Sequence, residues 1–352
     1  MATGLVSISA APAGTGMAAN RGAPTPVRAS GTALVGIARM AAESPQVRER
    51  AGTEYFALES RSILNRESSG RMPFAWTLNP YRGCEFGCKY CYARYSHEFM
   101  ELRDGLDFER KIFAKVNAPE LLRAELRRAR DKGLPIALGT ATDPYQPAEK
   151  QFRITRSLLE VISEFEGLDF SITTKGVLIL RDLDLLKRIS ARHHFGVHMT
   201  ITTTDERLAR LVEPKAPPPA KRLEAVAALA QASIAAGVNV MPILPGLNDS
   251  ERALDELARR AAQAGARSLH ANILFLMPSA MRQFMPFLER EFPKLVKRYR
   301  RLYARSAYLN GEYKERMTKL VAEIRARHGL DRRSAEPKQL APRAQLMLHF
   351  GT

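Results

Sequence analysis

Three cysteines within eight residues are the part of this sequence best suited to chemistry. They stand in the passage Asn79-Pro80-Tyr81-Arg82-Gly83-Cys84-Glu85-Phe86-Gly87-Cys88-Lys89-Tyr90-Cys91-Tyr92-Ala93-Arg94, spaced Cys-x3-Cys-x2-Cys. The 352 residues contain no other cysteine. An odd, clustered set does not make a disulfide framework, which needs pairs spread along the chain. Three thiolates can hold three irons of a cubane 4Fe–4S cluster, whereas clusters in electron carriers normally take four Cys ligands. The fourth iron would then bind something else, and an open metal position is where chemistry occurs. Gly83 and Gly87 supply the backbone freedom that three ligands in so short a loop require. Two other readings stay open on the residues alone. One is a structural zinc site completed by His97, at a spacing uncommon for zinc fingers; the other is three unrelated buried thiols.

The elements that must position this loop follow from hydrophobic patterning. From about Pro73, short β-rich runs alternate with longer helical ones. Strands are predicted over Ala75–Tyr81, Pro135–Thr142, Asp169–Lys175, Phe195–Thr203, Val238–Leu244 and Ser268–Leu276. Helices are predicted over Ala148–Phe165, Leu183–Ala191, Pro219–Ala236 and Ser250–Ala264. This alternation implies parallel β-α units and a partial (β/α)6 TIM-type barrel of the α/β class, because two further strands for a closed eight-stranded barrel are not found. Three regions are expected: a mostly disordered arm over 1–70 with one short helix near Ala33–Ala42, a core domain over 71–285, and a basic helical extension over 286–352. In the extension, Phe292, Leu295, Val296, Tyr299, Leu302 and Tyr303 form one apolar stripe at 3,4 spacing, so this helix packs on something.

Charge narrows the partners. Lys and Arg number 54 against 37 Asp and Glu, a formal +17. Between Met281 and Arg333 the balance is 15 Lys+Arg to 6 Asp+Glu, or +9 in 53 residues. Such a field favours polyanions and makes DNA or RNA a candidate partner through the basic C-terminal region; a solvated helical face is the plain alternative. No window approaches the ~18–20 apolar residues of a membrane span, and Gly and Pro interrupt the N-terminus where a secretory signal would need an apolar run. No membrane partner and a reducing, cytoplasmic location are the expectations.

Cys-x3-Cys-x2-Cys with an aromatic before the last Cys resembles the signature of the radical S-adenosylmethionine superfamily. The wider stretch from Asn79 to about Pro278 resembles its spore photoproduct lyase-like branch, covering about 200 of the 352 residues. The resemblance implies an enzyme with two cofactors, a 4Fe–4S cluster on Cys84, Cys88 and Cys91 and S-adenosyl-L-methionine chelating the unique iron. It also implies a low-potential electron donor of flavodoxin or ferredoxin type. Reductive cleavage of the sulfonium would give a 5′-deoxyadenosyl radical that abstracts hydrogen from substrate.

Residue by residue, the resemblance places Tyr90 against the adenine, and puts the passage Gly139, Thr140, Ala141, Thr142, Asp143 at the methionine amino group. Lys175 corresponds to a Lys near the methionine carboxylate. Thr200 and Thr202 correspond to strand-end hydroxyls near ribose or carboxylate, and Arg222 to a carboxylate or substrate contact. Asp143 reads equally as a helix N-cap, Lys175 as a surface strand-end residue, and each Thr as a strand former. The photoproduct lyases use a further Cys near the second strand to return hydrogen to the substrate; this chain has Thr140 and Thr142 there. Tyr92, beside Cys91, is the candidate radical relay in its place. The leading expectation is a radical enzyme acting on a nucleic-acid base. Alternatives are a radical enzyme acting on a protein or small molecule, and a non-enzymatic cluster- or zinc-containing nucleic-acid-binding protein.

Overall fold

Six strands pair parallel in one sheet, as the alternation of short apolar runs and helices predicts. The computed structural model describes residues 34–68, 72–129 and 135–331. Its strands are β1 (Gln46–Arg50), β2 (Thr53–Leu58), β3 (Leu64–Arg66), β4 (Trp76–Leu78), β5 (Tyr81–Arg82), β6 (Lys111–Lys115), β7 (Ile136–Leu138), β8 (Asp169–Thr174), β9 (His194–Thr200), β10 (Ala236–Ile243) and β11 (Ser268–Ile273). The larger sheet has the order β11-β10-β9-β8-β7-β4-β3. Every neighbour from β4 to β11 is parallel, and β3 closes one edge antiparallel to β4. The two edge strands do not pair with each other, so the architecture is the open, partial barrel. Strands buried on both faces read as continuous apolar runs, and β10 shows the pattern: Val238 and Val240 are fully buried.

Helices fill the crossovers. Ile154–Ile162, Leu183–Arg192, Pro219–Gln231 and Glu251–Gln263 follow β7, β8, β9 and β10. Each buries one stripe; Ile154–Ile162 buries Ile154, Leu158, Leu159, Val161 and Ile162. The single helix expected over Ala148–Phe165 is two pieces, Glu149–Phe152 and Ile154–Ile162, because Arg153 between them is left-handed at φ +53°. The strand expected over Ala75–Tyr81 is likewise two, β4 and β5, placed in different sheets on either side of Pro80. Proline removes a ladder donor, which ends pairing there.

The arm expected over residues 1–70 needs correction within its described part. Gly36–Glu43 is the short helix expected near Ala33–Ala42, but 46–66 contributes β1, β2 and β3. β1, β2, β6 and β5 form a second, four-stranded sheet in that order. Its outer strand β1 gives a weak signal for a physical reason, whereas β2 and β6 bury apolar residues and are simply absent from the predicted strands. β1 is exposed at all five residues and is held by its backbone pairing to β2, so no face had to be apolar. Residues 1–33 lie outside the described residues, as do 332–352 of the extension. The small sheet matters to function because β5 leads directly into the cysteine loop: Tyr81 pairs with Ala114 and Arg82 with Phe113.

At the C-terminal end, the helical region starts earlier than Pro286. Pro278–Glu291 is one helix with Pro286 inside it, followed by Val296–Leu302 and Glu312–His328. The predicted stripe packs into a second hydrophobic core: Tyr299 and Tyr303 are buried there, with Phe292, Leu295, Val296 and Leu302 against them. That core also contains Phe86, Cys88 and Tyr90. The extension is therefore built onto the cysteine loop. Glu312–His328 packs on the β11 side instead, burying Met317 and Ile324 in the main core. Among the described residues no helix is long and apolar enough to cross a membrane.

Candidate active site

Parallel strands deliver their C-terminal ends to one rim. The residues after β4, β7, β8, β9 and β10 thus gather there: Asn79, Gly139–Asp143, Lys175, Thr202 and Asn248. The cysteine loop is tied to this rim by hydrogen bonds. The Thr142 hydroxyl donates to the Gly83 carbonyl at 2.6 Å, and Gln146 Nε2 donates to the same oxygen at 3.1 Å. The Glu85 N–H donates to Gln146 Oε1 at 3.0 Å. The Tyr92 phenol donates to the Thr140 carbonyl. Asn79 receives the Ala141 N–H at 2.8 Å and donates to Thr140 Oγ1 at 3.1 Å.

The loop itself needs both glycines. Gly83 has φ +83°, and a Cβ there would lie 2.7 Å from the Lys111 carbonyl; Gly87 has φ +65°, and a Cβ there would lie 2.8 Å from Glu109 Oε2. Cys84 N–H donates to Phe108 O at 2.9 Å, Lys89 N–H to Val212 O at 2.9 Å, and Lys215 N–H to Phe86 O at 3.2 Å. Inside the loop, Arg94 donates to the Cys88 carbonyl at 3.0 Å and to Gly105 O at 2.7 Å, while pairing with buried Glu109.

Cys88 is buried, and Cys84 and Cys91 are half-buried. Burial pushes all three thiols up, Cys88 to about 12. Thiols in such surroundings ionise when a metal takes the sulfur. Three soft donors on one loop fit a cubane cluster, which takes one thiolate per iron. Among the described residues no group of three His, Cys, Asp or Glu converges as a single ion would require; a cluster does not need that convergence. His97, the fourth ligand of the zinc alternative, is committed elsewhere. Its Nε2 bonds the Lys111 carbonyl at 2.9 Å, its ring sits edge-on to Phe108 and Phe113, and burial lowers its pKa to about 4.

Around the sulfurs lies a buried charge network whose pairing the sequence did not reveal. Glu213 and Arg222, after β9, pair at 2.6 Å with almost no exposure. Glu213 also accepts from the Tyr90 phenol and from Thr202 Oγ1 at 2.9 Å. Burial opposes the Glu213 charge, but Arg222 and Lys175 outweigh it and hold the carboxyl below its usual range. Lys175 Nζ lies 5.7 Å from the Tyr90 ring centre. Its burial also opposes charge, yet Cys88 and Glu213 raise it, so the ammonium stays ionised.

The residues singled out in the sequence divide accordingly. Tyr90, Tyr92, Lys175, Thr140, Thr142, Thr202 and the three cysteines share this rim. Arg222 is spent on Glu213, the Thr200 carbonyl at 3.0 Å and the Pro217 carbonyl at 2.7 Å. Asp143 is neither exposed nor a helix cap: it accepts from Thr174 Oγ1 at 2.6 Å, Lys175 N–H at 2.7 Å and Tyr145 N–H at 2.9 Å. It therefore fixes the β8 exit that carries Lys175. Gly139 turns at φ +92°, where a Cβ would stand 2.3 Å from Thr173 O. Glu149, in the same passage, is fully buried and holds Tyr81, Thr155 and Arg181. Arg94 and Glu109 were missed because a pairing across 15 residues leaves no periodic signal.

An open parallel β/α sheet with a three-cysteine loop at its C-terminal rim defines the class. The family model for the radical SAM superfamily matches residues 78–258. The chain belongs to that superfamily and is a radical SAM enzyme, a family whose cofactors are a 4Fe–4S cluster and S-adenosylmethionine. An uncharacterized protein of Mycobacterium tuberculosis is 37% identical over 290 residues, covering 82% of this chain and 85% of that one. One from Methanocaldococcus jannaschii is 30% identical over 222 residues, 62% and 77% of the two chains. In fold the chain is spore photoproduct lyase-like: the structure of that enzyme complexed with dinucleoside spore photoproduct aligns at TM-score 0.58 with 17% identity, over 78% of this chain and 79% of that one.

Proposed function

We propose that Cys84, Cys88 and Cys91 hold the cluster, that S-adenosyl-L-methionine takes its remaining iron, and that the enzyme abstracts hydrogen from a nucleic-acid substrate. One observation carries the reading. The loop bearing the three sulfurs is hydrogen-bonded onto the strand-end rim through Thr142–Gly83 and Tyr92–Thr140, so sulfurs, rim hydroxyls and the Lys175 ammonium share one mouth. When bound, the two cofactors supply reductive sulfonium cleavage and a 5′-deoxyadenosyl radical, with the electron drawn from a flavodoxin- or ferredoxin-type donor.

The chain's own residues bind and orient. Lys175 offers a half-buried ammonium to a carboxylate, its position set by Asp143 on its backbone N–H. Tyr90 presents a ring whose hydroxyl is anchored by Glu213; Arg222 and Thr202 keep that anchor in place. Gly139, Thr140 and Thr200 line or brace the same strand ends. Tyr92 is the hydrogen relay, since no cysteine stands after β7 and its phenol reaches the rim. The nucleic-acid half of the proposal draws support from the +9 balance between Met281 and Arg333, and from the dinucleoside photoproduct bound by the structural relative.

The test is anaerobic turnover with dithionite and S-adenosylmethionine, with and without damaged or modified DNA and RNA. Nucleic acid should accelerate 5′-deoxyadenosine release, and binding should weaken steeply between ~50 and ~200 mM salt. Tyr92→Phe should keep unstimulated cleavage and lose coupled turnover. Absent binding at low salt, with cleavage intact, would move the substrate to a protein or small molecule.

A further inference from the structure

Five aromatic rings form a continuous row past the cysteine loop. Phe99 meets Tyr95 edge-on at 5.6 Å, Tyr95 stacks with Tyr92 at 6.4 Å, Tyr92 tilts against Phe275 at 5.1 Å, and Phe275 stacks with Tyr308 at 5.3 Å. The three inner rings are half-buried, and both ends are open, Phe99 being 63% and Tyr308 47% exposed. The ends differ in geometry. Phe99 meets its neighbour on edge, whereas the Tyr308 and Phe275 planes lie within 17° of parallel. One face of the Tyr308 ring is thus backed by a second ring.

This end of the row is held firmly. Leu276 N–H donates to Ala307 O at 2.9 Å, the Tyr303 phenol to Leu274 O at 2.7 Å, and Tyr308 N–H to Ser306 Oγ at 3.0 Å. Leu309, the next residue, is buried in the second core with Cys88 and Tyr90. The extension therefore carries a pinned, flat, exposed ring to the segment just past β11, one ring away from Tyr92. A ring fixed beforehand loses little freedom when something stacks on it.

The surroundings choose the occupant. Arg301 and Arg305 are exposed and join no ion pair among the described residues, and they lie within seven residues of Tyr308. An exposed aromatic face in a segment that also carries two exposed arginines matches a base attached to a phosphate backbone, and such stacking tolerates any base. We propose that Tyr308, backed by Phe275, is a stacking platform for one unpaired nucleobase of the substrate strand. This inference rests on the nucleic-acid reading above and assigns that reading a substrate-binding residue outside the cofactor site.

The experiment measures binding of a short oligothymidine to the reconstituted full chain by fluorescence anisotropy, at several salt concentrations. Tyr308→Ala should weaken binding by roughly 5- to 100-fold without changing the salt slope, and Tyr308→Phe should stay within about twofold of the natural protein. Iron content and unstimulated S-adenosylmethionine cleavage report intact folding. If Tyr308→Ala misfolds, Tyr308→Trp decides: its fluorescence should be quenched as the strand binds, and an unquenched, binding-competent Trp variant overturns the platform. Equal affinity of Tyr308→Ala and the natural protein overturns the platform alone. Failure of the natural protein to bind any strand at low salt removes the nucleic-acid reading and the platform with it.

Discussion

Arg94 donates a hydrogen bond to the Cys88 carbonyl at 3.0 Å from the same guanidinium nitrogen that pairs with Glu109. The pair has only 2% and 8% side-chain exposure, and Glu109 also lies where a side chain on Gly87 would go. One buried ion pair thus sets the path of the loop on both sides of its second sulfur. Removing one partner of such a pair leaves an uncompensated charge and costs about 3–5 kcal/mol. Glu109→Gln and Arg94→Met should each lower the denaturant midpoint accordingly and reduce iron retained after reconstitution, measured by iron assay on the folded fraction.

Gly83 offers a sharper contrast. An added Cβ would meet two backbone carbonyls, Lys111 O at 2.7 Å and Phe108 O at 3.0 Å, whereas Gly52, at φ +73°, has nothing within 4 Å. Both substitutions strain a left-handed residue, at about 1 kcal/mol or more. Only Gly83→Ala also displaces the loop. It should abolish most cluster incorporation, while Gly52→Ala should cost stability and retain iron.

The Glu213–Arg222 pair allows a separation of folding from cofactor placement. Glu213→Leu or Arg222→Met alone should destabilise by about 3–5 kcal/mol, and the double variant should recover much of that loss. Because Glu213 anchors the Tyr90 phenol, the recovered double variant should still bind S-adenosylmethionine more weakly than the natural protein, as measured by equilibrium dialysis.

Sequence alone carried the six-stranded core and the cysteine loop, for definable reasons. Parallel strands buried on both faces must be apolar, and metal ligands on one loop must be close in sequence. It missed β1, β2, β3 and β6; β1 is exposed and β3 has three residues, so neither needs a pattern, while β2 and β6 are short runs with buried apolar residues. The pairings Arg94–Glu109 and Glu213–Arg222 were invisible in a different way, although the resemblance singles out Arg222 itself: a charged residue reads as surface until its partner is brought to it by the fold. Tyr308 belongs to the same group, since its stacking on Phe275 joins segments 33 residues apart.

Acid should weaken the fold through histidine. His193 accepts the Leu168 N–H on Nδ1 at 3.1 Å, and burial, with Arg192 adding to it, lowers its pKa to about 4. The unfolded chain, near 6.5, takes up a proton the native state refuses, so stability falls as pH drops from about 6.5 toward 4. The loss at pH 5 is at most about 2 kcal/mol from this residue. His193→Asn should be less stable at pH 7 and show a shallower decline between pH 7 and pH 5, followed by urea unfolding.

The central claim, that three sulfurs leave one iron for the sulfonium cofactor, is tested most directly by the anaerobically reconstituted full chain. About four irons per chain should be present, and reduction by dithionite should convert S-adenosylmethionine to 5′-deoxyadenosine, with both lost in Cys88→Ala. A natural protein that takes up no iron, or that leaves the sulfonium intact once reduced, would contradict the account.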